Sequence, residues 1–112
     1  MYYLTQEIQE LIASHSIEEH PNECCGMVIE NADGYKAIRC DNVARNKKEN
    51  FRISPVDYLR AGGEGKIRAY YHSHPDDEEG VFSGTDKKVS TGHGVPLIMY
   101  CVKNNKFFEH KD

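Results

Sequence analysis

Apolar residues follow a helical spacing near the start of the chain. They recur three or four positions apart, so their side chains share one face of a helix. Thr5 is a suitable N-cap, and we predict a helix over residues 6–14. Ile17 falls off this apolar face, so we expect residues 16–20 to kink or to form a separate turn. The apolar face consists of Leu4, Ile8, Leu11 and Ile12.

Several later stretches are rich in β-branched and aromatic residues and are bounded by Gly, Pro, Asn or Asp, a pattern typical of β-strands. Asp33-Gly34 lies between two such stretches and indicates a hairpin. We expect the last stretch to lie at an edge of the sheet. The predicted strands cover residues 24–29, 35–40, 51–53, 66–71, 95–102 and 106–110.

Two more helices are predicted between the strands. Ser54-Pro55 supplies an N-cap and a first helical residue, and the helix should end within the Gly-rich residues 62–65. Ser83, followed three positions later by an acid, opens a helix that we expect to end near residue 91. We therefore predict an α/β fold, with a curved mixed β-sheet flanked by about three helices.

The end of one predicted strand carries two histidines. Side chains alternate between the two faces of a strand, so His72 and His74 should project to the same side. Pro75 cannot continue the ladder and should end the strand there. Two adjacent imidazoles provide two ligands for a metal ion. The opposite face of the strand should carry Ile67, Ala69 and Tyr71.

An acid downstream is a plausible third ligand. The helix that begins at Ser83 places Asp86 in its first turn, close to the end of the histidine strand. A His-x-His pair or a Ser-x-x-Asp cap alone is common and carries little information. The two patterns together, seven residues apart, predict two histidines and one carboxylate with an open position, which is the composition of a catalytic zinc site.

These motifs resemble the JAMM (JAB/MPN+) zinc metalloproteases, in which an upstream Glu precedes H-x-H-P and S-x-x-D. The resemblance covers His72, His74 and Asp86 as zinc ligands, Glu23 as general base and Ser83 as the donor to the developing oxyanion. It implies a minimal JAB/MPN-type fold and a hydrolase that cleaves a peptide or isopeptide bond with a metal-activated water. Sites of this composition also accept Fe²⁺, Co²⁺ or Mn²⁺.

Residues 20–29, 39–44 and 51–58 resemble the branch of this family found in phage tail-assembly proteins. The resemblance implies two functions. One is a metallopeptidase that acts on a small modifier protein or on a phage or cell-wall related peptide. The other is a tail-assembly factor that acts mainly by binding tail proteins, with peptidase activity secondary.

Composition limits the partners. The 112 residues suffice for one hydrophobic core, and we expect a single domain over residues 1–112. The net charge is −4 without a basic stripe, which argues against nucleic acid as a partner. The longest apolar run is too short to cross a bilayer, and residues 1–6 lack the pattern of a secretory signal. We expect a protein of the cytoplasm, in a bacterium or an infected host cell.

The remaining polar and sulfur-containing residues give weaker signals. Four cysteines lie in apolar surroundings and should be reduced and mostly buried, although Cys24 or Cys25 could serve as the nucleophile of a cysteine-dependent hydrolase. We expect His15 and His20 at the surface. The polar segment 45–50 should be a solvated loop.

Overall fold

The structure is a computed structural model, and it describes residues 2–76, 82, 86 and 94–111. It contains a five-stranded sheet with the order β2-β1-β3-β4-β5. The β3–β4 pair is parallel and the other pairs are antiparallel, so the sheet is mixed, as predicted. The elements are α1 (Gln6–Glu19), β1 (Cys25–Asn31), β2 (Gly34–Cys40), α2 (Pro55–Glu64), β3 (Lys66–His74), β4 (Leu97–Cys101) and β5 (Lys106–His110).

The described residues contain two helices, whereas about three were predicted. The third prediction, from Ser83 to about residue 91, falls almost entirely outside the described residues; within it, Asp86 is helical. The predicted strand over residues 51–53 is reduced to an isolated bridge between Asn42 and Ile53. The α/β class and the edge position of β5 are confirmed.

Helix α1 is longer than predicted. Thr5 caps it through a hydrogen bond from the Ile8 amide to Thr5 Oγ1 at 3.2 Å. The helix continues to Glu19, so residues 16–19 belong to it rather than to a separate turn. Leu11, predicted on the packed face, is 41% exposed, and His15, predicted at the surface, is buried. The buried face of the helix therefore runs through Ile8, Ile12 and His15.

The sheet separates two hydrophobic clusters. On one face, α1 packs on side chains of the central strands, and we call this the helix-1 face. On the other face, α2 and Phe51 cover a second cluster, which we call the site face because the histidine pair lies there. The helix-1 face includes Ile8, Ile12, Val28, Ala69 and Tyr71. The site face includes Met27, Ile29, Phe51, Ala61, Tyr70 and Leu97.

A bulge changes the alternation of β3. Val28 pairs with Ala69, but Ile29 pairs with Ile67, so Arg68 has no partner in the register. A residue inserted in this way shifts the following side chains to the opposite face. Ile67 consequently packs with the site face, and its predicted position beside Ala69 and Tyr71 is wrong.

Among the described residues, no helix combines the length and the hydrophobicity needed to cross a membrane.

Candidate metal centre

The two histidines lie at the end of the central strand, which is paired on both sides. His72 is opposite Cys25 of β1 and Met99 of β4, and His74 is opposite Cys101. Their Nε2 atoms are 3.0 Å apart, as expected for side chains on the same face of a strand. The ladder therefore fixes the backbone beneath both imidazoles.

The His72 ring is fully buried and is held in one orientation. Its Nδ1 lies 2.9 Å from the carbonyl oxygen of Ile98, which can only accept a hydrogen bond, so Nδ1 carries the proton. The ring also stacks on Phe51 with 4.6 Å between centroids. Burial lowers the pKa of His72, which favours the neutral ring. A neutral imidazole with its Nε2 lone pair directed at the site is the form that binds metals.

Asp86 brings a carboxylate to the same point. It is buried, and its Oδ2 lies 3.5 Å from His72 Nε2 and 3.4 Å from His74 Nε2. Ligand atoms about 2.0–2.1 Å from a tetrahedral ion are about 3.3 Å apart. The three measured separations, from 3.0 to 3.5 Å, match this value. This donor set therefore fits Zn²⁺ in both chemistry and spacing.

Glu23, two residues before β1, belongs to the same group. One of its carboxylate oxygens is within 4.8 Å of ligand atoms of both histidines, a spacing that could hold a metal ion. The side chain is 4% exposed, and Oε1 has no hydrogen-bond partner among the described residues. Burial raises the pKa of Glu23 to about 8, while His74 lowers it and Asp86 raises it further. A buried polar atom without a partner is costly and indicates a ligand or functional role.

Two carboxylates therefore lie beside the histidine pair. Asp86 Oδ2 is within 3.5 Å of both Nε2 atoms, and Glu23 belongs to a group with the histidines whose ligand atoms lie within 4.8 Å of one another. Ser83, the remaining predicted site residue, lies outside the described residues.

Two contributions to the centre were not identified from the sequence. Phe51 packs on the His72 ring, and Ser73 joins the histidine strand to the segment that carries Glu23. The Cys24 amide donates to Ser73 Oγ at 2.8 Å, and the Ser73 amide donates to the Cys24 carbonyl at 3.1 Å. The position of Ser73 between two ligand-type histidines is the one sequence signal that points to such a role.

The cysteines are poorly suited to nucleophilic catalysis. All four are buried and free of disulfides, as predicted. Burial raises the pKa of Cys24 to about 12 and also raises that of Cys25, so neither forms a thiolate readily at neutral pH.

Comparison with known proteins shows the family of the chain and a solved structure with the same fold. The chain is 36% identical over 73 residues to tail tip assembly protein K of Escherichia phage N15, a match that covers 65% of the chain but 30% of that protein. The solution structure of a protein from Desulfitobacterium hafniense superposes with a TM-score of 0.73 at 18% identity, over 96% of this chain and 88% of that one, and so shares its fold. The family described as prokaryotic homologs of the JAB domain matches residues 5–111, and the chain therefore belongs to this family.

Proposed function

We propose that the chain is a zinc-dependent hydrolase that cleaves a peptide or isopeptide bond. The observation that carries this proposal is the convergence of His72 Nε2, His74 Nε2 and Asp86 Oδ2 within 3.5 Å of one another, beside the buried carboxyl group of Glu23. In this proposal the first three residues hold the ion.

The role of the ion follows from its general chemistry. Bound Zn²⁺ supplies Lewis acidity and brings the pKa of a bound water from that of bulk water to about 7. The chain's contribution is to hold two neutral imidazoles and one carboxylate at fixed spacing. Ile98 and Phe51 fix the His72 ring, so little reorganisation is needed when the ligands bind.

Glu23 is proposed as the proton carrier. Its Oε1 accepts a proton from water as the water oxygen forms a bond to the substrate carbonyl carbon. The same proton then passes to the nitrogen as the carbon–nitrogen bond breaks. Burial raises the pKa of Glu23 to about 8 in the ion-free protein. A divalent cation beside the carboxyl group would favour its ionised form, which is the form that accepts a proton.

Ser83 is proposed as a hydrogen-bond donor to the oxyanion that develops on the substrate. This role rests on the position of Ser83 three residues before Asp86 in the family motif. Removal of such a donor costs about 3 kcal/mol in the transition state, or roughly 100-fold in rate.

Elemental analysis of protein purified without a histidine tag, together with a hydrolysis assay, tests the proposal. The substrates are a fluorogenic peptide library and a library of peptides joined through lysine isopeptide bonds. We expect one zinc per chain and chelator-sensitive cleavage. Glu23→Gln should keep the zinc and lose turnover, while Glu19→Gln, which changes a half-exposed acid nearby, should keep both. Undiminished turnover in Glu23→Gln would remove that residue from the mechanism.

A second candidate function is phage tail assembly by protein binding. It is supported by the similarity to tail tip assembly protein K and by apolar side chains on α2, where Val56 and Leu59 are each 74% exposed. Co-expression with tail-tip proteins tests it. The double variant Val56→Ser/Leu59→Ser should lose co-purification, whereas Leu11→Ser, which changes an exposed apolar residue on α1, should retain it.

A further inference from the structure

The backbone of Glu23 is held by a segment that is distant in sequence. Glu23 precedes β1, so the strand ladder does not fix its main chain. Its amide donates to the carbonyl of Lys47 at 2.7 Å, and its carbonyl accepts a hydrogen bond from Asn42 Nδ2 at 2.9 Å. Both main-chain polar groups of the proposed proton carrier are therefore bonded to the segment 42–47.

Asn42 uses the full hydrogen-bonding capacity of its side chain. Nδ2 donates to the carbonyls of Glu23 and Asn50, the latter at 3.0 Å. Oδ1 accepts from the amides of Ala44 at 2.9 Å and Arg52 at 3.0 Å. An amide side chain has two donor hydrogens and two acceptor lone pairs, so every one is satisfied here. A network of this kind favours a single backbone arrangement.

We propose that Asn42 is a positioning residue that sets the location of Glu23, and hence of its carboxyl group, at the metal centre. The catalytic importance of the Glu23 position rests on the proposed hydrolase function. The hydrogen-bonded link between Asn42 and Glu23 is independent of that function. The side chain connects three parts of the backbone: Glu23, two residues before β1, the turn that follows Asn42, and residues 50–52. The polar segment 45–50, which was expected to be a solvated loop, thus helps to hold Glu23, because the Lys47 carbonyl accepts the hydrogen bond of the Glu23 amide.

The same residues border a space beside the proposed proton carrier. A cavity of about 240 Å³ is lined by Glu23 together with Asn42, Lys47 and Glu19. If the main chain at Glu23 shifted, its carboxyl group could turn from the histidines toward this space. The two bonds from segment 42–47 oppose such a shift because both are made to the main chain of Glu23 itself.

One substitution removes the two bonds that Asn42 donates, to the carbonyls of Glu23 and Asn50, and keeps the two that it accepts. Asn42→Asp keeps an oxygen that accepts from Ala44 and Arg52, but it removes the two donor hydrogens. The matched control is Asn46→Asp, which adds the same charge to the same segment; the Asn46 side chain is exposed and donates to Glu49 Oε2 at 3.0 Å. Because both variants gain a charge and lose a donor, a difference between them reports the particular bonds to the Glu23 and Asn50 carbonyls.

Amide hydrogen exchange measured by NMR on the ion-free protein tests the link directly. We expect exchange of the Glu23 amide to accelerate at least tenfold in Asn42→Asp, with the amides of Tyr70 and Tyr71 in β3 unchanged. A purely structural effect would accelerate all three amides together and would overturn the proposal. Unchanged exchange at Glu23 would overturn it as well.

A measurement on the native protein decides the matter if Asn42→Asp does not fold. The Nδ2 hydrogens of Asn42 should exchange with water at least tenfold more slowly than those of the exposed Asn46. Equal exchange rates would show that the Asn42 donors are not held by the Glu23 and Asn50 carbonyls, and the proposal would fail.

Kinetics on the zinc-loaded protein then tests the catalytic consequence. We expect Asn42→Asp to retain one zinc and an unchanged KM for the peptide substrate, with kcat reduced by about 100-fold, because a misplaced catalytic group costs rate more than binding. Equal kcat values for Asn42→Asp and Asn46→Asp would contradict the catalytic role. Native protein that binds no zinc and cleaves nothing would instead refute the hydrolase function, and the exchange data would still decide the link.

Discussion

Two buried histidines lie on opposite faces of the sheet and differ in what surrounds them. His15 is 3% exposed and His72 is fully buried, and each directs Nδ1 to an oxygen, the Tyr71 hydroxyl at 2.8 Å and the Ile98 carbonyl at 2.9 Å. Burial lowers the pKa of both. By these criteria alone, either could be a functional residue.

The second ring nitrogen distinguishes them. Nε2 of His15 is 3.9 Å from a half-exposed carboxylate on the same helix, that of Glu19. Nε2 of His72 faces His74 of the same strand at 3.0 Å and Asp86 of a separate segment at 3.5 Å. Burial and a perturbed pKa therefore do not identify a metal ligand. The feature that sets His72 apart is the convergence of three donor atoms on one point.

The largest expected effect comes from the same substitution at the two histidines. His72→Ala should weaken zinc binding by more than about 100-fold, because it removes one of three proposed protein ligands. His15→Ala should leave the affinity within about twofold, measured by competition with a fluorescent chelator. Equal losses in two folded variants would show that the two faces are not functionally distinct.

On the helix-1 face, the substitution with the largest expected effect on stability is at Gly26. A Cβ atom there would overlap the Tyr71 ring and the Ile38 carbonyl oxygen, which is backbone and cannot easily move away. We expect Gly26→Ala to destabilise the fold by about 3 kcal/mol or more, measured by urea denaturation. The matched control, Gly62→Ala in α2, has open space around the added methyl group and should stabilise the fold by up to about 1 kcal/mol.

Glu23 should make the stability of the ion-free protein fall as pH rises. The unfolded chain loses the Glu23 proton near pH 4.5, whereas the folded protein holds it until about pH 8. Between these values the folded state binds more protons, so raising the pH favours unfolding, by up to about 3 kcal/mol from pH 5.5 to 7.5. Denaturation of Glu23→Gln should show a flatter pH dependence than that of Glu19→Gln. Parallel curves for the two variants would contradict the assignment.

His15 should have the opposite dependence on pH, with a smaller effect. Its pKa is lowered from 6.5 to about 4, first by burial and then by the charge of Arg39. Between these pH values the unfolded chain binds a proton at His15 and the folded protein does not. Stability should therefore decrease as pH falls from 6.5 to 4. His15→Leu should reduce this decrease. At pH 7 it should cost about 1–3 kcal/mol by removing the partner of the Tyr71 hydroxyl, and His15→Leu/Tyr71→Phe should recover part of the loss.

Sequence was most informative where a few neighbouring residues determine the outcome. The period of two in a strand placed His72 and His74 together, as the structure shows, and Asp86 was predicted close to them and lies 3.5 Å from His72 Nε2. The limits of β5 and the start of α2 followed from turn and cap residues in the same way. These features depend on contacts that are local or repeat with a fixed spacing.

The features that were missed depend on partners remote in sequence. His15 is buried against Tyr71, which lies 56 residues away in the sequence. No local pattern indicates that contact. The bulge at Arg68 likewise arises from pairing with β1 and changes the face of Ile67. Asn42 looks like an ordinary loop residue until the fold brings Glu23 and Arg52 to it.

The pairing of β3 on both sides has a consequence for metal loading at the proposed centre. The His72 backbone is bonded into ladders with β1 and β4, so the histidine end of the strand should keep its shape whether or not an ion is present. Chelation should therefore leave the fold intact, unlike in zinc fingers, which unfold on metal removal. The protein could then be stripped and reloaded with different divalent ions on an unchanged scaffold, and metal preference could be compared without interference from refolding.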